Sequence, residues 1–247
     1  MSRALRCLAL LMLMVPFGVA TRAEEMLSLP TRPGVTQPIL FTTVAHPAAS
    51  VILFPGGAGR LRAVTNNFLV RTAPAFAALD LNVAIADTPL DQPQGMSDAF
   101  RVSPAHAEDI AAVIAFLHGR AAVPIWLVGT SRGTISAASV AIQVGPPRLA
   151  GVVLTSTVWL AAFPQLPLEQ LRLPTLIVHN RNDGCSVSPF SMAAPGLQRF
   201  SSAPVKDLMV VSGGNSRSAP CDALSPHGYY GIEDQVVPPI AAWIKAH

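Results

Sequence analysis

Metal-binding spacings are missing from this 247-residue sequence: it has no Cys-x-x-Cys, no His-x-x-x-His and no acidic cluster beside a histidine. Protein zinc sites draw their ligands from such intervals, so the sequence offers metal chemistry no starting point. Charge is scarce as well. Asp, Glu, Lys and Arg make up 13% of the residues, and no Lys/Arg cluster forms a phosphate-binding stripe. No nucleic-acid partner is implied. The loop Gly56-Gly57-Ala58-Gly59-Arg60 lacks the Gly-Lys-Ser/Thr ending of a P-loop and the Gly-x-Gly-x-x-Gly spacing, which argues against nucleotide binding. Internal repeats and low-complexity blocks are absent too.

Only the N-terminus invites a membrane. Arg3 and Arg6 precede an apolar stretch over residues 7–19, and small and polar residues follow, ending Thr21-Arg22-Ala23. That stretch is well short of the ~20 residues a bilayer span needs. Its three-part pattern predicts a secretory signal peptide over residues 1–23, cleaved after Ala23 or Ala20. The expectation is a periplasmic or secreted protein with no stable membrane anchor after cleavage. Removing Arg3, Arg6 and Arg22 from the 17 basic residues leaves as many bases as the 14 acids, so the basic pI carries no message about partners. Residues 24–247 then fit one domain with a sizeable core. Two cysteines remain, Cys185 and Cys221, and an even pair in an oxidising compartment reads as a disulfide.

What recurs along the chain is an alternation of short β-branched runs with longer helical patterns. It predicts an α/β fold: a mostly parallel central sheet with helices on both faces. The predicted strands are 50–54, 82–86, 124–128, 151–155, 175–178 and 207–211. Residues 31–45 read as one or two antiparallel edge strands. Helices are expected over 66–79, 103–118, 134–144 and 231–245. Ser103 serves the second as N-cap with Pro104 at the first helical position. Residues 156–174 leave no space for a helical lid, so no sizeable cap domain is expected. Trp159, Leu160, Phe163 and Leu166 could form a small apolar flap there or pack as an ordinary loop.

The chemistry centres on Gly129-Thr130-Ser131-Arg132-Gly133. This Gly-x-Ser-x-Gly sits between a strand pattern and a helix pattern, the context of a nucleophile elbow. The chain there turns so sharply that flanking Cβ atoms would collide, and the serine Oγ is held out at the sheet edge. Nucleophilic acyl transfer also needs a base, an acid to orient it, and donors for an oxyanion. Asp183 follows a strand pattern and precedes Gly184, in a loop that opens onto the same sheet edge as the elbow. Asp222 is the rival acid. His227 lies on a Pro/Gly-bounded loop after the last strand, whereas His106 and His118 fall within a helix and His179 within a strand. The oxyanion donors would be the backbone N–H of Arg132 and one from the glycine loop, at Gly57 or Ala58.

The order Ser131, Asp183, His227, with the elbow and the glycine loop, resembles the α/β-hydrolase superfamily. The resemblance covers nearly the whole mature chain and implies the α/β-hydrolase fold. It implies Ser131 as nucleophile, His227 as general base and acid, and Asp183 as the orienting acid. The implied activity is that of a secreted serine hydrolase cleaving a small or medium carboxylic ester, with a small-molecule partner and neither metal nor organic cofactor. An acyltransferase or peptidase could use the same triad, and a binding module of this fold would usually lack one of its members. Two features depart from the pattern. Phe54-Pro55 stand where many lipases and esterases carry a histidine, and a long cation, Arg132, follows the nucleophile.

Overall fold

The computed structural model describes residues 23–160 and 162–247; residues 1–22, most of the expected signal peptide, lie outside them. Eight strands form one sheet: β1 (Ala23–Pro30), β2 (Thr36–Thr43), β3 (Ala49–Phe54), β4 (Leu81–Ala86), β5 (Ile125–Thr130), β6 (Gly151–Thr155), β7 (Thr175–Asn180) and β8 (Lys206–Val211). Their spatial order is β1-β2-β4-β3-β5-β6-β7-β8. The hairpin β1–β2 joins β4 antiparallel, and every pair from β4 to β8 is parallel. The central strands are buried along their whole length, as the β-branched runs demand when helices cover both faces.

Alternate residues of each strand feed two separate cores. Ile52, Phe54, Ile125, Leu127, Val152 and Leu154 face one of them. Helices α3 (Pro104–Arg120) and α4 (Gly133–Val144) cover that side, the former through Ile110, Val113, Ile114 and Leu117. Val51, Leu53, Trp126, Val128 and Val153 face the other, beneath α1 (Phe68–Ala78) and α6 (Glu233–Ala246). Ser103 caps α3 as its sequence predicts, accepting the His106 N–H at 3.2 Å with Pro104 at the first helical position.

The structure refines the sequence reading in several places. Residues 31–45 supply one antiparallel strand, β2, as the reading allows, but it lies inside the sheet; the edge strand is β1, upstream of them and not foreseen. Two short helices were not foreseen, α2 (Asp98–Arg101) and α5 (Ala193–Gln198), because four or six residues carry no measurable 3.6-residue period. Strand β5 runs two residues further than read, to Thr130, and α4 starts one residue earlier, at Gly133. Of the two readings left open for Trp159, Leu160, Phe163 and Leu166, packing holds and the flap does not: Trp159, Phe163 and Leu166 are buried in the α3/α4 core and only Leu160 is exposed. That stretch includes two single 3-10 turns, and among the described residues no cap domain rises over the sheet.

One contact in the other core is unusually tight. Gly151 opens β6 directly beneath Trp126, and a Cβ there would lie 2.0–2.5 Å from three carbons of the indole ring. Trp126 cannot retreat, because Trp243 packs edge-on against it with centroids 5.3 Å apart. Gly151→Ala should therefore cost about 1–3 kcal/mol, the usual penalty of overpacking. Denaturant unfolding should show the loss as a lower midpoint, with activity per folded molecule unchanged.

Candidate active site

Strand β5 delivers Ser131 into a left-handed conformation, φ +51°, before α4 begins. Non-glycine residues seldom occupy that region, so the position is strained and must be held by its surroundings. The Ser131 N–H donates to Thr155 O at 3.0 Å, and its carbonyl accepts from Thr134 N–H at 2.9 Å and Thr134 Oγ1 at 2.6 Å. The turn leaves no room for side chains at its ends. A Cβ on Gly133 would lie 1.9 Å from Phe54 O, and one on Gly129 would lie 2.5 Å from Gly133 O. The two glycines are thus what lets β5, α4 and the end of β3 meet.

The acid lies at the end of β7. Asp183 is fully buried, and its Oδ2 accepts from His227 Nδ1 at 2.8 Å and from Ser188 Oγ at 3.1 Å. Its Oδ1 accepts the Cys185 N–H at 2.9 Å. A further histidine joins it. His179 Nε2 lies 3.4 Å from Asp183 Oδ2 and 3.0 Å from Ser188 O, so the Nε2 proton faces both acceptors. Burial would push the Asp183 carboxyl up. The N–H groups of His179 and His227, the charge of His227 and the Cys185 N–H together outweigh it and hold the carboxyl down at about 2. A carboxylate only accepts, so His227 Nδ1 carries a proton, and in the neutral ring the lone pair is therefore on Nε2. That Nε2 is buried and has no protein partner.

Several independent ties hold the histidine loop. The 3-10 turn Pro226–Gly228 is capped by Ser225, whose Oγ accepts the His227 N–H at 3.2 Å. Ser156 Oγ donates to His227 O at 2.7 Å. Asn180, the last residue of β7, donates from Nδ2 to Pro226 O at 3.0 Å and so joins the acid strand to this loop. Tyr229 is fully buried, donates to Val178 O at 2.8 Å and accepts the Ser156 N–H at 3.0 Å; burial pushes its hydroxyl pKa up. Arg71 of α1 grips Gly228 O and pairs with Glu233. The predicted Cys185–Cys221 disulfide is present and joins the acid loop to the histidine loop across a sequence separation of 36. Closing a loop of that length stabilises the fold by about 4 kcal/mol in the chain-entropy account.

Ser131, His227 and Gly57 share the lining of an open cleft of about 240 Å³. Ala63, Val64 and Phe68 supply its apolar wall, and Thr65, Asn66, Asn67 and Asp222 its polar rim. Of the expected oxyanion donors, Gly57 is in the cleft wall, whereas Ala58 and Arg132 are not among its lining residues. The Gly57 and Arg132 N–H groups donate to no protein acceptor. The Arg132 side chain, whose direction the sequence left open, folds onto Asp98, with Nε–Oδ1 at 2.8 Å and Nη2–Oδ1 at 2.6 Å. Asp222 lines the same cleft, is exposed, and makes no hydrogen bond or ion pair with His227, whose carboxylate partner is Asp183. His179 went unforeseen as a partner of Asp183: it falls within an apolar strand pattern, which reads as packing, and the turn that brings Asp183 back to it four residues later leaves no periodic signal. Among the described residues no cluster of three or more His, Cys, Asp or Glu is placed to hold a metal ion.

Solved structures match nearly the whole chain in this arrangement. A serine hydrolase homologue from Coxiella burnetii superimposes with a TM-score of 0.63 at 20% identity, over 89% of this chain and 97% of that one. The fold is that of the α/β hydrolases. A cold-adapted esterase from an Arctic intertidal metagenomic library shares the α/β-hydrolase fold with a TM-score of 0.62 at 18% identity, over 91% and 99% of the two chains. The Pyrococcus furiosus esterase Pf2001 gives 0.63 at 14% identity, over 91% and 93%. No protein-family model and no curated protein sequence matches the chain.

The geometry separates the two candidate acids. Asp183→Asn should lower turnover of an ester substrate by about 10³–10⁴-fold by fixing the wrong tautomer of His227, whereas Asp222→Asn should stay within a few-fold of wild type. Stability should follow a sign set by the depressed pKa. The ionised Asp183 contributes stability at pH above about 4 and loses it as pH falls toward about 2. Acid titration of unfolding should show that loss in wild type and a reduced loss in Asp183→Asn.

Proposed function

We propose that this protein is a secreted serine hydrolase that cleaves a small or medium carboxylic ester through an acyl-enzyme on Ser131. One observation carries the reading. His227 is fixed by Asp183 at 2.8 Å through Nδ1, so its unpartnered Nε2 is the basic atom of the cleft that holds Ser131. His227 Nε2 takes the Ser131 hydroxyl proton as Oγ bonds the ester carbonyl carbon. The carbonyl π pair moves onto oxygen, where the Gly57 and Arg132 N–H groups stabilise the oxyanion. Its collapse breaks the bond to the alcohol, which leaves with the proton from His227. Water then repeats the sequence on the acyl-enzyme and releases the acid, returning the proton to Ser131.

The esterases among the structural neighbours support the ester as substrate class. The disulfide supports an oxidising compartment, in keeping with the signal-like N-terminus. Mixing wild type with p-nitrophenyl acetate should release one equivalent of nitrophenol in a rapid burst before steady turnover. Ser131→Ala should fold normally, show no burst and lose roughly 10³–10⁶-fold in turnover. A full burst from the alanine variant would remove Ser131 from the mechanism.

The shape of the cleft sets the substrate size. It is open, about 240 Å³, and no cap domain stands over it to wrap a long acyl chain. Acetyl and butyryl esters should be turned over, and emulsified long-chain triglyceride should give no jump in rate at its interface. A marked interfacial activation would contradict the open cleft.

A further inference from the structure

Among the described residues, one fully buried arginine has no salt-bridge partner. Arg101, the last residue of α2, is fully buried and forms no salt bridge. Nη1 donates to Ser136 Oγ at 2.8 Å in α4, Nη2 donates to Gly57 O at 3.0 Å, and Nε has no partner. Burial lowers its pKa to about 10, with repulsion from Arg132 adding to the effect and Asp98 opposing it. The guanidinium therefore stays charged at neutral pH. Beside it His106 is equally buried, with neither ring nitrogen partnered, and burial lowers it to about 3, so it adds no second charge. A buried charge left unpaired is a cost to the fold, and packing alone would be served better by an apolar side chain.

What Arg101 touches explains its presence. Gly57 has φ +59° and follows another glycine, so its backbone has wide freedom. Three successive carbonyls of the loop are nonetheless committed. Gly56 O accepts from Gly59 N–H at 3.2 Å, Gly57 O from Arg101, and Ala58 O from Met96 N–H at 2.9 Å. The Arg101 bond is the only charged one of the three, and charge-assisted bonds are the stronger kind. Gly59 lets the guanidinium lie against the loop, since a Cβ there would come within 3.0 Å of Nη2. The opposite end of the same helix serves the other half of the site. Asp98, its first residue, takes the guanidinium of Arg132 and draws that long cation out of the cleft.

We infer that α2 is the brace of the oxyanion hole, and that Arg101 is its positioning residue: by holding Gly57 O it fixes the Gly57–Ala58 peptide and so restrains the backbone of Gly57, whose own N–H receives the developing oxyanion. Asp98 does the same for the segment after the nucleophile. This inference rests on the hydrolase reading above, and it assigns a catalytic consequence to residues that touch no substrate. A residue that merely filled the core would, if replaced by a side chain of similar length, change stability and leave the chemistry alone. A positioning residue would do the reverse.

Arg101→Met keeps the length and removes both the charge and the donors. The expected result is an unfolding temperature equal to or above that of wild type. With p-nitrophenyl acetate, kcat should fall about 10–100-fold at nearly constant KM. Affinity for butylboronic acid, which forms a tetrahedral adduct with the serine, should fall by the same factor as kcat/KM, and Arg101→Lys should recover part of both. Values of kcat/KM and boronate affinity within twofold of wild type in Arg101→Met would overturn the inference. If that variant does not fold, Ser136→Ala, which releases Nη1, decides instead: a loss in kcat of threefold or more supports the brace and no loss overturns it. Failure of the hydrolase reading is seen separately, in wild type, as the absence of both burst and boronate binding, and it would take this inference with it.

Discussion

Everything at this site depends on how closely a helix can follow a strand. Ser131 occupies φ +51° because β5 must end, the chain must reverse and α4 must start within three residues. Only glycines at 129 and 133 let the turn press against the end of β3, where Phe54 O would otherwise meet a Cβ at 1.9 Å. The strain is local and its support is not. The Ser131 N–H is held by β6 through Thr155 O, and its carbonyl by Thr134 of α4. The glycine loop after β3 then lies directly against the serine, with the position of a Gly56 Cβ only 2.9 Å from Ser131 Cβ. Ser131 and the glycine loop are thus placed by the same packing.

The remaining machinery comes from loops at the same edge of the sheet, and its cost is rigidity. Asp183 and His227 are 44 residues apart in sequence and meet at 2.8 Å. A loop-to-loop meeting of that kind is entropically expensive unless other bonds share the task. Here the disulfide, the Asn180–Pro226 bond, Tyr229 between β6 and β7, and Arg71 on Gly228 all bear on it. The acid is likewise fixed from several sides, by two histidines, a serine hydroxyl and a backbone N–H. Its charge is stabilised where burial alone would have neutralised it.

How much of this the sequence foretells depends on what sets each feature. The central strands are legible because burial on both faces demands unbroken apolar runs, and the elbow because sterics demand glycine at both of its ends. Asp183 and His227 are legible because loops after parallel strands open on one edge. Strand β1 is not, since an edge strand carrying Glu24 and Glu25 beside a leader-like segment has no apolar run to announce it. Helix α2 is too short for periodicity, so nothing in the sequence singles out Asp98 or Arg101, although Arg101 is fully buried. The direction of Arg132 was unreadable for the same reason, because its partner sits on that helix. Trp159 and Phe163 were ambiguous because an apolar loop has the same composition whether it covers a cleft or fills a core.

The central claim is that the strained serine of the elbow is the nucleophile. Its most direct test is treatment of the full-length, disulfide-bonded protein with a fluorophosphonate, followed by tryptic digestion and mass spectrometry. The account predicts a single adduct, in the peptide spanning residues 121–132 and on Ser131, with labelling blocked by prior binding of butylboronic acid. An adduct on any other residue, or no adduct on a protein that turns over esters, would contradict it.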